Sequence, residues 1–236
     1  MIHVFRKIRV SVAIAAVLAA LTNAGACRSE HSVPSVDRIT SEELLSPTRA
    51  LPPIGFPLRP ITSERLSLTK SSEGWYPYRY NDAANYCTVG YGHLIKKFPC
   101  DGNEPREFLR RLSSPRGEEI LLTDMVSSRY TVMTSVDVDL SEGQFAALSD
   151  FVFNVGSRNF QRSTLLKVVN SNQDERIPGQ FRRWIVAAGK TLPGLVRRRE
   201  REIDLYFEGR PKVRAIPLPG EDLSPIDILS EKGTGK

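Results

Sequence analysis

The sequence predicts an α+β fold in which a small β-lobe leads into a mainly helical lobe, and three observations carry that prediction. From Tyr76 to Tyr91 the chain is aromatic and β-prone around the stretch Asn81-Asp82-Ala83-Ala84-Asn85, which has turn chemistry. Beyond Gly117 the apolar residues switch to helical period. The 236 residues, 40% of them hydrophobic, can bury one sizeable core with extensions, whereas two full domains would each be small.

In chain order, residues 1–26 pass from basic (Arg6, Lys7, Arg9) to apolar (Val10 to Leu21) to the small residues Ala24-Gly25-Ala26, the layout of a signal peptide. Two alternatives stay open. Val10 to Ala26 is uncharged and only marginally shorter than a bilayer-spanning helix, so the segment can be a retained signal-anchor. Cys27 follows the small residues where a lipoprotein carries its acylated cysteine, although Asn23 and Ala24 depart from that signal. All three readings export the domain to the periplasm or beyond, and each confines membrane contact to the N-terminal segment or a lipidated Cys27.

Residues 27–60 are rich in Ser, Pro and charge without periodicity and read as an extended linker. Residues 210–236, with Pro211, Pro217, Pro219 and Pro225, read as a disordered tail. The domain proper is residues 61–209, an ordinary size for one fold, with no internal repeat.

A first helix is expected over Ser63 to Glu73, closed by Gly74. A β-hairpin or meander follows between Tyr76 and Tyr91. Leu122, Met125, Val126, Val132, Met133 and Val136 then fall near one face of a long amphipathic helix. Ser141-Glu142-Gly143-Gln144 fits a capping box and starts a helix running to about Phe153. Helices are further expected at about Ser163 to Asn170, Pro178 to Ala187 and Leu195 to Phe207, the last two separated by Gly189 and Pro193-Gly194.

Charge says less than its distribution. Residues 1–26 hold three basic and no acidic residues, so cleavage there lowers the formal charge from +6 to +3. From Phe160 to Arg201 ten Lys or Arg face three acids, a balance that suits an anionic wall polymer or, equally, solvated helix faces. No nucleic-acid motif accompanies the charge, so no nucleic-acid partner is expected. Cys87 and Cys100 are close enough to close a short loop in an exported chain, and a disulfide between them is expected to contribute about 3 kcal/mol.

Glycosidic cleavage needs one protonated carboxyl and one ionised one, in unlike surroundings. Glu73 suits the acid: it lies at the negative end of a helix, beside Trp75 and Tyr76, which can desolvate it. Asp82, in a polar turn, suits the ionised partner, and the Thr88 hydroxyl on the returning strand can help fix a water. Such placements are common in domains without chemistry, so on their own they carry little.

The wider pattern carries more. Glu73-Gly74, Asp82, and Thr88-Val89-Gly90-Tyr91-Gly92-His93 at their spacing resemble the phage-type lysozymes, glycoside hydrolase family 24. Leu140-Ser141-Glu142-Gly143-Gln144-Phe145, Phe153-Asn154-Val155-Gly156, Ser163-Thr164-Leu165-Leu166, Trp184, and Leu192-Pro193-Gly194-Leu195 with Arg197, Arg198 and Arg199 look like the family's later motifs in order. The resemblance runs from about Ser63 to Phe207. It implies a lysozyme-like fold and hydrolysis of the β-1,4 bond between N-acetylmuramic acid and N-acetylglucosamine in peptidoglycan glycan strands, by a monomer without metal or organic cofactor. Glu73 takes the general-acid place, and Asp82 and Thr88 the places that orient water, which implies inversion. Trp75-Tyr76-Pro77-Tyr78 and the stretch from Lys96 to Asp101 occur in only part of the family and leave substrate preference open.

Other residues have competing readings. His93 is expected to make a structural hydrogen bond, with Asp124, rather than to act as a base. His3 and His31 fall outside the domain, so no histidine cluster for a metal is available. Asn154 is a candidate substrate contact or a helix cap. Phe151, Phe153, Phe181 and Trp184 read as core before sugar platforms. Cys87 with His93 raises a thiol peptidase, which the disulfide disfavours. A lytic transglycosylase needs only the one acid, and a non-catalytic wall-binding module needs none; the presence of Glu73, Asp82 and Thr88 together speaks against both.

Overall fold

The computed structural model describes residues 51–211, 213 and 215–230. Residues 1–26, read above as an export segment, Cys27 and most of the expected linker lie outside the described residues. Helix α1 covers Ser63–Glu73, the span the sequence predicts, and ends at Gly74, whose φ of 73° is open to glycine without strain. Three strands follow, β1 (Tyr76–Asn81), β2 (Cys87–Gly90) and β3 (His93–Lys96), as an antiparallel meander in the order β1-β2-β3. A 3₁₀ turn at Arg106–Leu109 completes the β-lobe.

The single long helix expected after Gly117 is instead two, α2 (Ser114–Asp124) and α3 (Val126–Ser135), broken at Met125. Met125 is fully buried at the junction while Ile120 and Leu121 on one side and Val132 on the other each bury a face of their own. Hydrophobic period registers the two faces but not the change of axis between them. Helix α4 (Glu142–Val155) starts with both bonds of the capping box between Ser141 and Gln144. It is the central element, buried nearly all round, with Ser149, Asp150 and Asn154 buried among its apolar residues.

Helices α5 (Ser157–Arg162), α6 (Thr164–Asn170), α7 (Ile177–Arg182) and α8 (Pro193–Tyr206) wrap it. Where the sequence predicts a helix to Ala187, the chain leaves α7 at Arg182 and forms a two-stranded hairpin, β4 (Val186–Ala187) and β5 (Lys190–Thr191), turned by Ala188 and Gly189. Phe151, Phe181 and Trp184 pack edge to face in the main core, so the core reading of these aromatics holds. A smaller core of Val89, Phe108, Leu112 and Ile120 sits under the β-lobe. Trp75 joins the two: its indole ring lies where a Cβ on Gly117 would approach within 2.2 Å, so α2 can pass only as glycine there.

Two flanking segments are more ordered than their composition suggests. Phe56 stacks edge-on against Tyr130, and Arg59 bonds the Leu140 carbonyl and Glu142, so the described end of the linker is packed. The tail expected to be disordered is, over its described residues, a strap along α7 and β4. Glu221 bonds Arg176 and Gln180, Asp222 bonds Arg183, and Ile228 is buried with its N–H donated to Val186. Its prolines limit helix and sheet without preventing an extended segment from docking by side-chain ion pairs and a few backbone bonds. Among the described residues no helix is long and apolar enough to cross a membrane.

Candidate active site

Glu73 stands on the last turn of α1, 2% exposed, because α1 packs against both α4 and α8. Its Oε1 accepts a hydrogen bond from Arg198 Nη1 at 2.9 Å. The same guanidinium donates to both oxygens of Asp150 on α4, from Nη2 at 2.8 Å and from Nε at 2.9 Å. Arg199 donates from Nη2 to Asn154 Oδ1 and to Glu202 Oε1, each at 2.7 Å, and lies over the Phe151 ring at 4.8 Å. Trp75 packs on Tyr91, and Tyr76, half-exposed, packs on Tyr80. Helix packing and the buried Arg198 shape the surroundings of Glu73.

Electrostatics inside this cluster are strong. Burial alone opposes charge on Asp150, yet the Arg198 charge and hydrogen bonds outweigh it and hold the carboxyl below its ordinary value. Burial works against the charge on Arg198 too, and Asp150 with Glu73 more than restore it. Glu202 is different: burial dominates and raises it well above the usual carboxylate range, despite Arg199 beside it.

Asp82 and Thr88 sit on the β-lobe. Asp82 Oδ1 accepts from the N–H groups of Ala84 and Tyr86 at 2.8 and 2.9 Å, and Asn85 adopts φ 62°, which an Asn in a tight turn tolerates. That leaves Oδ2 facing the Thr88 hydroxyl at 3.5 Å. Thr88 is opposite Tyr80 across β1 and opposite Leu94 across β3, so these three side chains share one face of the sheet. On the other face Cys87 is disulfide-bonded to Cys100, and a buried Glu104 bonds Lys96, Arg79 and the N–H groups of Asp101 and Gly102. Lys96 holds the Glu104 carboxyl at about 2.

His93 Nδ1 lies 3.0 Å from both oxygens of Asp124, at the junction of β3 with the end of α2. Asn154 is 7% exposed, and its carbonyl oxygen points into the arginine cluster. The helix it was a candidate to cap ends instead at Gly156. Cys87, Cys100 and Glu104 have side-chain atoms close together, but the disulfide occupies both sulfurs.

Sequence reasoning missed Asp150 and Glu202 and gave Arg198 and Arg199 no role. A signal was present. Leu195, Arg198, Arg199, Glu202, Ile203 and Tyr206 recur at the three- and four-residue spacing of one helical face, and all six are buried. Charged residues in the middle of an apolar stripe point to a buried, paired cluster.

Comparison with known proteins agrees with this architecture. The family model described as phage lysozyme matches residues 70–202. The endolysin of Bacillus phage B103 is 32% identical over 155 residues, covering 64% of this chain and 56% of that protein. The chain thus spans little more than half the length of that relative. The SAR-endolysin of Bacteriophage PS119 is 32% identical over 131 residues, covering 56% of this chain and 74% of the relative. Among solved structures, a P22 lysozyme variant aligns with 63% of this chain and 98% of its own at 28% identity and TM-score 0.55. The muramidase domain of SpmX from Asticaccaulis excentricus aligns with 63% of this chain and 97% of its own at 27% identity and TM-score 0.53.

Proposed function

This chain belongs to the phage lysozyme family, and we propose from that premise that it is a muramidase, hydrolysing the β-1,4 bond between N-acetylmuramic acid and N-acetylglucosamine in peptidoglycan. The observation that carries the reading is the pairing of two unlike acidic settings. Glu73 is solvent-excluded among arginines, while Asp82 is fixed by backbone N–H groups next to a threonine hydroxyl. Residues 70–202, which contain all three side chains, are the matched span.

In this reading Glu73 donates its proton to the glycosidic oxygen as the bond from the anomeric carbon breaks. A water held by Asp82 Oδ2 and Thr88 Oγ1 adds to that carbon from the opposite face and gives up a proton to Asp82, which inverts the configuration. Neither step draws on a metal or an organic cofactor. The chain acts beyond the cytoplasm as a monomer, reaching membrane only through residues 1–26 or Cys27. His93 with Asp124 props β3 against α2, and Asn154 serves the arginine cluster behind Glu73.

Turbidity loss of purified sacculi tests the reading, with Glu73→Gln in parallel and released sugars identified by mass spectrometry. The expected result is reducing-end muropeptides from the wild type and a rate about 10²- to 10⁴-fold lower for the variant. Anhydro-sugars in place of reducing ends transfer the chain to the lytic transglycosylases. Binding of sacculi by both proteins without release makes it a wall-binding module.

A further inference from the structure

Glu73 belongs to a group of five buried ionisable side chains, drawn from α1 (Glu73), α4 (Asp150) and α8 (Arg198, Arg199, Glu202). We infer that these three carboxyls and two guanidinium groups hold one proton in common, resting on Glu202 and available to Glu73, which makes Asp150 and Glu202 positioning residues for the general acid. The inference rests on the muramidase reading for its catalytic part and on geometry for the rest.

The geometry is a count of charges and bonds. Two guanidinium cations balance two carboxylates, and a third carboxylate leaves a net negative charge among side chains at most 5% exposed. One proton restores neutrality. Among the cluster's buried atoms without a partner, Arg199 Nε and Nη1 and Asn154 Nδ2 are donors and Glu202 Oε2 is the acceptor, so a proton on Oε2 is the placement the geometry favours, while Oε1 accepts from Arg199. A proton on Oε2 removes the orphan by turning an acceptor into a donor, and Asp150 is the carboxylate that Glu202 faces. The raised affinity of Glu202 for its proton, caused by burial, agrees with that placement. Lys70 and Arg182, on elements packed against the cluster, are engaged elsewhere, with Glu118 and Glu200. The Thr69 hydroxyl and the Asn154 carbonyl add neutral groups to the lining.

Neutrality is met equally with the proton on Glu202 or on Glu73, so ionising one favours protonating the other. Glu73 takes up a proton from solvent as Glu202 releases one, and the cluster stays neutral. When Glu73 passes its proton to the leaving oxygen the cluster is left with one excess negative charge, and a proton from solvent returns to Glu202.

The test is the pH profile of kcat/KM for wild type, Glu202→Gln, Asp150→Asn and Arg199→Gln, each checked for folding by thermal melting. Both carboxyl variants leave two carboxyls for two arginines, so Glu73 must then be protonated at a cost in net charge. Their alkaline limbs are expected to move to lower pH by about one unit or more, with activity recovering in acid. Arg199→Gln leaves three carboxyls for one cation and is expected to move the limb the other way. Rates scaled down equally at every pH in all three variants overturn the inference and leave these residues structural. Infrared spectra supply a readout independent of turnover. At neutral pH the wild type is expected to show the carbonyl stretch of a buried protonated carboxyl, and Glu202→Gln to lose it. Absence of that band in the wild type overturns the shared proton whatever the activity. An inactive wild type that shows the band overturns the muramidase reading alone.

Discussion

The two halves of the candidate site are held by opposite means. On the β-lobe, Asp82, partly exposed, is fixed by the backbone N–H groups of Ala84 and Tyr86, and Thr88, itself buried, by its strand and the Tyr86 carbonyl. On the helical side, Glu73 is fixed by a side chain 125 residues away, inside a buried cluster. Local backbone bonds make one half tolerant and cheap to form. The other half is costly to assemble, and once assembled its charges act at low effective dielectric, where each governs the protonation of its neighbours.

That contrast can be broken first at Arg198. Arg198→Met strands Glu73 and Asp150 without a counter-charge and is expected to destabilise the fold by about 3–5 kcal/mol; denaturant melts read this directly, and a loss below 1 kcal/mol would mean that water relieves the cluster. Removing the disulfide, as Cys87→Ser with Cys100→Ser, strikes the β-lobe. It is expected to cost about 3 kcal/mol through the freed loop, and to lower the cleavage rate further because Thr88 is the next residue after Cys87.

Glu221→Ala, at the strap, is expected to cost about 1–3 kcal/mol because Arg176 and Gln180 lose their acceptor. Its readout is the same melt, with little change in rate. The smallest effect is in pH. Folding lowers the Glu104 carboxyl from 4.5 to about 2, so its contribution is complete above about pH 4.5 and disappears as pH falls through about 2. Hydrogen exchange in the loop from Phe98 to Glu104 is expected to speed up over that window in the wild type and not in Glu104→Gln.

What the sequence disclosed follows the same division. Features written in neighbouring residues were legible: the α1 span with its Gly74 stop, the capping box at Ser141, the meander around Asp82, and the Cys87–Cys100 pair. Features that depend on the path of the chain in space were not. The break at Met125 keeps the hydrophobic period unchanged, and the hairpin at Ala187 replaces one buried surface by another. The strap has the composition of a tail, because its docking uses only a few polar anchors and the two isoleucines Ile226 and Ile228. At the site, Glu73, Asp82 and Thr88 were found through family spacing, whereas Asp150 has no local mark and becomes meaningful only beside Arg198.

The Glu73–Arg198 contact also bears on the order in which the molecule can fold. Its two residues close a loop of more than half the chain, and α1 packs on α4 and α8 rather than on the strands that follow it directly. Loop closure on that scale is paid before most of the helical lobe can repay it, which slows folding. The β-lobe, whose pairings are all short-range, can form early and wait. The proposed site is then completed late and at once, when α8 docks and brings its arginines beneath an acid synthesised long before them.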